Sequence, residues 1–286
     1  MPAWLSTPGR VLELFVTVNL AFLALDIVLA HSVNEFGHWA EWLPLGYSLV
    51  GATVLAVGVF RGAAPHEPPA SLRGLLVGWV GIAVGLSGMV WHLESRFFEQ
   101  WTLQSLVYSA PFAAPLAFTG LGLLLLMNRM VADHAREWAG WVCFLALGGF
   151  VGNFALSLAD HAQNGFFHAA EWVSVMVSAL GVSTLAVLVA FDPGRAFRRF
   201  TAGVLGLQAV TGVVGFALHL GPLFSPSSAG WVDRVVYGPP LFAPLLFANL
   251  ALLGGIGLWG FERVPGRAPD RSEGEVPAVA TVREQA

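Results

Sequence analysis

Eight apolar runs dominate this chain and leave few folds open to it. They cover roughly 11–31, 40–60, 74–93, 106–128, 138–159, 170–191, 201–220 and 239–261. A run of about 20 apolar residues is what an α-helix needs to cross the hydrocarbon of a bilayer. No water satisfies backbone groups there, so only helices and closed barrels span, and a barrel would show short alternating segments. The expected fold class is an all-α integral membrane protein with eight transmembrane helices. Composition agrees, with 56% hydrophobic and 11% charged residues, against about 25% charged in ordinary soluble domains.

The same composition excludes several functions. Net charge is −4, and all 14 basic residues are arginines without a basic patch, so nucleic acid is not an expected partner. The single cysteine, Cys143, lies inside an apolar run. Disulfides, a CxxC redox pair and a four-cysteine cluster are therefore excluded within the chain. No small-residue cleavage pattern follows the first run, which reads as an uncleaved first helix. The stretch 62–71 is a Pro/Ala-rich linker, and 264–286, rich in proline and charge, reads as a disordered tail.

The chain repeats itself. HSVNEFGHWAEW (31–42) returns as HAQNGFFHAAEW (161–172), with seven of twelve positions identical at an offset of 130. Gly85, Gly88, His92 and Leu93 find counterparts in Gly212, Gly215, His219 and Leu220. The frame Tyr108, Pro111, Ala114, Pro115 returns as Tyr237, Pro240, Ala243, Pro244. The expected organisation is a tandem duplication of a four-helix unit, 1–132 and 133–263. Four is even, so both copies insert the same way up, related by a pseudo-two-fold axis along the membrane normal.

Arginine sets the orientation. Twelve of the fourteen fall on the side of the N-terminus, and only Arg96 and Arg234 fall opposite. The positive-inside rule then places both termini in the cytoplasm of a cell inner (plasma) membrane, with both repeated stretches on the external side.

That topology gathers His31, His38, Glu41 and His92 at the external ends of three helices, and His161, His168, Glu171 and His219 in the second half. His38 and Glu41 are three residues apart, which would place them on one helix face. Imidazole with carboxylate suits iron, copper(II) or zinc. A bis-histidine haem b is the other expectation, between His31 and His92 and between His161 and His219. Asn34 and Asn164 are expected to orient ligands, and Tyr108 and Tyr237 to face the cofactor or sit in the aromatic belt. Asp160 is a candidate for the second set only, because Ala30 stands at its aligned position. Trp39, Trp42 and Trp172 read as interfacial anchors. The glycines before His92 and His219 allow either close helix packing or room for a flat cofactor. In architecture alone, the arrangement resembles eight-helix duplicated membrane haem proteins such as the haem A synthases.

The favoured function is a membrane-embedded, metal- or haem-dependent oxidoreductase or electron-transfer component, with quinone, lipid or a redox protein as partner. A metal or ion transporter, a metal-dependent membrane hydrolase and a structural subunit of a larger complex are the alternatives. Transport is the weaker reading, because only Glu13 and Asp26 offer charge within a span.

Overall fold

The computed structural model describes residues 7–61, 65–66, 70–226, 228 and 230–263. The expected tail and most of the 62–71 linker lie outside these residues. Every regular element among the described residues is helical. Seven helices are long and apolar enough to cross a membrane: α1 (Pro8–Ser32), α2 (Trp42–Phe60), α3 (Ala70–Glu94), α7 (Arg136–Gln163), α8 (Glu171–Phe191), α9 (Arg195–Phe224) and α11 (Leu245–Arg263). A 3-10 turn, Trp39–Glu41, leads into α2. The short helices α4 (Phe97–Gln100), α5 (Leu103–Val107) and α10 (Trp231–Val236) lie between the long ones. The molecule is thus built as a multi-pass helical membrane protein.

The fourth apolar run departs from expectation. Its helix, α6, begins only at Leu116 and ends at Met130, 15 residues in all. At 1.5 Å per residue it measures about 22 Å, short of the roughly 30 Å hydrocarbon core. The reason lies in the proline frame, since Pro115 caps the helix and residues 108–115 run as turns. A proline cannot supply the N–H that an interior helical position needs. Pro244 likewise precedes α11.

Helix pairings follow one pattern in both halves of the chain. α1 packs on α2 and α7 on α8; α2 on α3 and α8 on α9; α3 on α6 and α9 on α11; α1 on α6 and α7 on α11. Between the halves, α1 meets α10 and α11, while α7 meets α5 and α6. The continuous core runs through α1, α6, α7 and α11, where Leu12, Val16, Leu20, Leu124, Leu125, Trp138, Val142 and Phe150 are fully buried. Asn249 donates to Asn19 at 2.6 Å across the halves, and the rings of Phe22 and Phe242 meet edge-on at 4.9 Å.

Glycine permits the tightest of these pairings. A Cβ on Gly85 would meet the backbone of Thr119 and the Pro115 carbonyl, and one on Gly88 would meet Pro115 Cβ at 2.9 Å. Gly212 would meet the Ala248 nitrogen and the Pro244 carbonyl at 2.9 Å, and Gly215 would meet Pro244 Cβ at 2.9 Å. Of the two roles expected for these glycines, close packing is the one their neighbours account for.

Nine arginines gather at the helix ends opposite the repeated stretches: Arg10, Arg61, Arg73, Arg129, Arg136, Arg195, Arg198, Arg199 and Arg263. There Arg129 makes a bidentate pair with Glu13, at 2.5 and 2.6 Å, joining α6 to α1. Asn128 donates to the Gly9 carbonyl and accepts from the Trp138 indole, both at 3.0 Å. In the second half, Asp192 is paired with Arg136 and Arg198, and both guanidiniums lie over the Phe261 ring.

Candidate functional site

The repeated stretch folds the same way twice. α1 ends at Ser32, and the chain turns back through Glu35 and Phe36, both left-handed at φ 57° and 53°. The Phe36 N–H returns to the His31 carbonyl at 3.1 Å. In the second copy Gly165 and Phe166 take φ 66° and 52°, and the Phe166 N–H returns to the His161 carbonyl, also at 3.1 Å. A bulky residue with positive φ is strained and persists only where its surroundings hold it. Here aromatic packing supplies the hold. Phe36 lies 4.5 Å from Trp42 and 5.7 Å from the His31 ring, while Phe166 stacks on Trp172 at 4.0 Å and lies 6.1 Å from His161. The phenylalanine repeated in both stretches thus clamps the turn that carries the first histidine.

The turn brings a carboxylate to each histidine. His31 Nδ1 stands 3.8 Å from Glu41 Oε1, and His161 Nδ1 stands 3.5 Å from Glu171 Oε2. Oε2 of Glu41 and Oε2 of Glu171 are both buried without a hydrogen-bond partner, so each carboxylate retains an unfilled acceptor. In the second half the unpartnered Oε2 of Glu171 is the oxygen that faces His161; in the first, His31 faces Oε1, which Asn34 already holds, and Oε2 of Glu41 is left over.

The third helix of each half adds a second histidine. His92 donates from Nδ1 to the Pro111 carbonyl at 3.0 Å, and His219 donates from Nδ1 to the Pro240 carbonyl at 2.8 Å. A carbonyl cannot donate, so the proton sits on Nδ1 and Nε2 is left with its lone pair. The Pro111 carbonyl also accepts from the Ala114 N–H at 3.0 Å, so it serves the turn as well as His92. Pro115 and Pro244, four residues after Pro111 and Pro240, bring no N–H of their own to those carbonyls. The sequence signal for these acceptors is the recurrence of the proline frame alongside His92 and His219.

His31 and His92 face each other across α1 and α3, with ring centroids 6.2 Å apart and planes at 71°. In the second half no ring contact joins His161 and His219. The first half thus brings together two histidines and one glutamate, and the second pairs His161 with Glu171. Their Nδ1 atoms face oxygen acceptors, the arrangement that leaves Nε2 for a metal.

His38 and His168 are not drawn into these sets. The expected helix face fails because α2 begins only at Trp42 and α8 at Glu171. His38 is extended, exposed, and caps the 3-10 turn by accepting from Ala40 N–H at 3.3 Å. His168 is exposed, and its carbonyl accepts from Glu171 N–H. Asn34 donates to Glu41 Oε1 at 2.6 Å. Asn164 turns instead to the Asp160 carbonyl at 3.5 Å. Tyr108 and Tyr237 are exposed, and no contact links either to the histidines among the described residues.

Among the described residues, no group of three or more His, Cys, Asp or Glu is arranged to hold a metal ion. Comparison with family models, curated proteins and solved structures finds no match.

Proposed function

We propose that this chain is a duplicated, eight-segment membrane haem protein that carries electrons at the external face of an inner membrane. In this reading each half holds one haem b between two histidines, His31 with His92 and His161 with His219. The spacing of His31 and His92 carries the proposal. Two imidazoles on opposite faces of one iron, each bonded through nitrogen at about 2.0 Å, place their ring centroids roughly 6 Å apart. The observed 6.2 Å matches that value. A porphyrin supplies four further ligands, so two protein ligands suffice where a three-ligand ion site is not built.

The remaining residues have defined tasks in this reading. The Pro111 and Pro240 carbonyls fix the tautomer and ring plane of His92 and His219. Glu41 and Glu171 stand 3.8 and 3.5 Å from Nδ1 of His31 and His161 and would orient those imidazoles as acceptors for their N–H groups. Phe36 and Phe166 hold the rings in place. Bound haem iron supplies reversible one-electron exchange, and its position near helix ends suits a lipid-soluble quinone or a redox protein as partner. The parallel helix pairings and the matched turns support the duplication, and nine arginines opposite the sites support an external location.

Transport fits less well. Glu13, one of two charged candidates in the spans, is consumed by its bidentate pair with Arg129.

The test is a visible spectrum and iron analysis of the purified full chain. A Soret band with two haems per chain is expected. His92→Ala and His219→Ala should each remove one haem, the double variant both, and His38→Ala neither. Protein purified from haem-replete cells with no Soret band and no stoichiometric iron would end this reading.

A further inference from the structure

Away from the histidines, the interior of the second half holds two amides that are only partly matched. Asn153 on α7 is 3% exposed, and Gln208 on α9 is fully buried. Asn153 Nδ2 and Gln208 Oε1 make no hydrogen bond among the described residues. Both lie within apolar spans, where an amide group without a partner is costly. Gln208 spends its Nε2 on the Val177 carbonyl of α8 at 2.6 Å, so its oxygen is the acceptor left over.

Packing brings the two amides to one level. A Cβ on Gly181 of α8 would meet Gln208 Nε2 at 2.6 Å and Phe150 Cδ1 of α7 at 3.4 Å. Gly181 thus seats side chains from both neighbouring helices. α7 and α8 run antiparallel through the turn at the site end. Asn153 lies about one turn after Phe150, and Val177 about one turn before Gly181, so both fall on the same side of that contact. Ser178, fully buried on α8, donates its hydroxyl to the carbonyls of Ser174 and Val175 at 2.8 and 3.0 Å, and its oxygen can still accept.

The first half closes the corresponding place differently. Leu23 stands where Asn153 does, Gly81 where Gln208 does, and Tyr47 where Val177 does. The Tyr47 phenol fills the space over Gly81 and donates to the Val77 carbonyl at 2.9 Å. Only the Ser48 hydroxyl is buried there without a partner, and one group does not hold a water that needs two to four partners.

We infer that the second half binds an internal water between α7, α8 and α9, and that the first half, sealed by Tyr47, does not. The water accepts from Asn153 Nδ2 and donates to Gln208 Oε1, with Ser178 Oγ as its third partner. Water offers a donor and an acceptor at once, which an unmatched N–H and an unmatched C=O together require. The site stands apart from the histidine sets and needs no haem.

The experiment is X-ray footprinting of the purified full chain in heavy-oxygen water, read by mass spectrometry. Radicals formed from a bound water oxidise the side chains beside it and leave its oxygen on them. Phe150 and its counterpart Leu20 are both fully buried, which makes them paired reporters. Phe150 should take up the label and Leu20 should not. Asn153→Leu, which installs the first-half residue, should abolish the label at Phe150. Gln208→Met should do the same and keeps the test open if Asn153→Leu fails to fold, since an unfolded chain would label both reporters. An unlabelled Phe150, equal label at Leu20, or label at Phe150 that survives both variants overturns the inference. So does a high-resolution map in which Asn153 Nδ2 bonds directly to Gln208 Oε1.

Discussion

At the scale of single residues, the turn between α1 and α2 and its copy between α7 and α8 pose one backbone problem with two solutions. Both need left-handed geometry at the fifth position of the echo, which Glu35 supplies in one and Gly165 in the other. A Cβ on Gly165 would meet nothing within 4 Å, so Gly165→Ala tests backbone strain alone. It should cost about 1–2 kcal/mol, read as a lower thermal midpoint in detergent. Glu35→Gly should raise the midpoint, by a smaller amount because glycine also gains freedom in the unfolded chain. Much of the site was legible at this scale. His31, Glu41, His92 and their partners were marked by repetition, because a group used twice leaves two traces. His38 and His168 carried the same mark for another reason. They precede the start of α2 and α8, and the boundary fell later than an apolar pattern can define. The Pro111 and Pro240 carbonyls were invisible, since a backbone acceptor has no letter of its own.

At the scale of elements, close approach of α3 to α6 and of α9 to α11 positions the second histidine of each half. Gly85→Val would drive a side chain into the backbone of Thr119 and the Pro115 carbonyl. Overpacking of this kind costs about 1–3 kcal/mol and should tilt His92 away from Pro111; on the proposed reading it lowers first-half haem content as well as stability. Gly120→Ala, whose Cβ would meet nothing within 4 Å, should leave both unchanged. At the opposite end, α1 and α6 are tied by the Glu13–Arg129 pair, whose side chains are 11% and 2% exposed. Glu13→Gln should destabilise by about 3–5 kcal/mol because it strands a buried guanidinium. The double change with Arg129→Met should recover much of that loss, as thermal melts of the three variants would show. Seven of the eight apolar runs became helices long enough to span. Hydropathy could not foresee the short fourth, because the prolines that stop it sit within an apolar stretch.

At the scale of the whole molecule, orientation is the property on which access to the sites depends. The chain has one cysteine, Cys143, buried in the core, so new cysteines can report sidedness. In intact cells, a membrane-impermeant maleimide should label Phe167→Cys at the exposed site-end turn and leave Arg195→Cys unlabelled until the membrane is opened. The reverse pattern would invert the topology. The paired prolines of α6 and α11 carry a consequence for descent. Loss of Pro115 would return an N–H to that position, a further donor for the Pro111 carbonyl, which already accepts from Ala114 and His92. Three donors would then compete for two lone pairs, and the hold on His92 would be weakened without the histidine itself being changed. The histidine and the second proline are therefore coupled in descent, although they stand 23 residues apart in the first half and 25 in the second. Relatives that shed Pro115 or Pro244 should be found to have shed His92 or His219 as well.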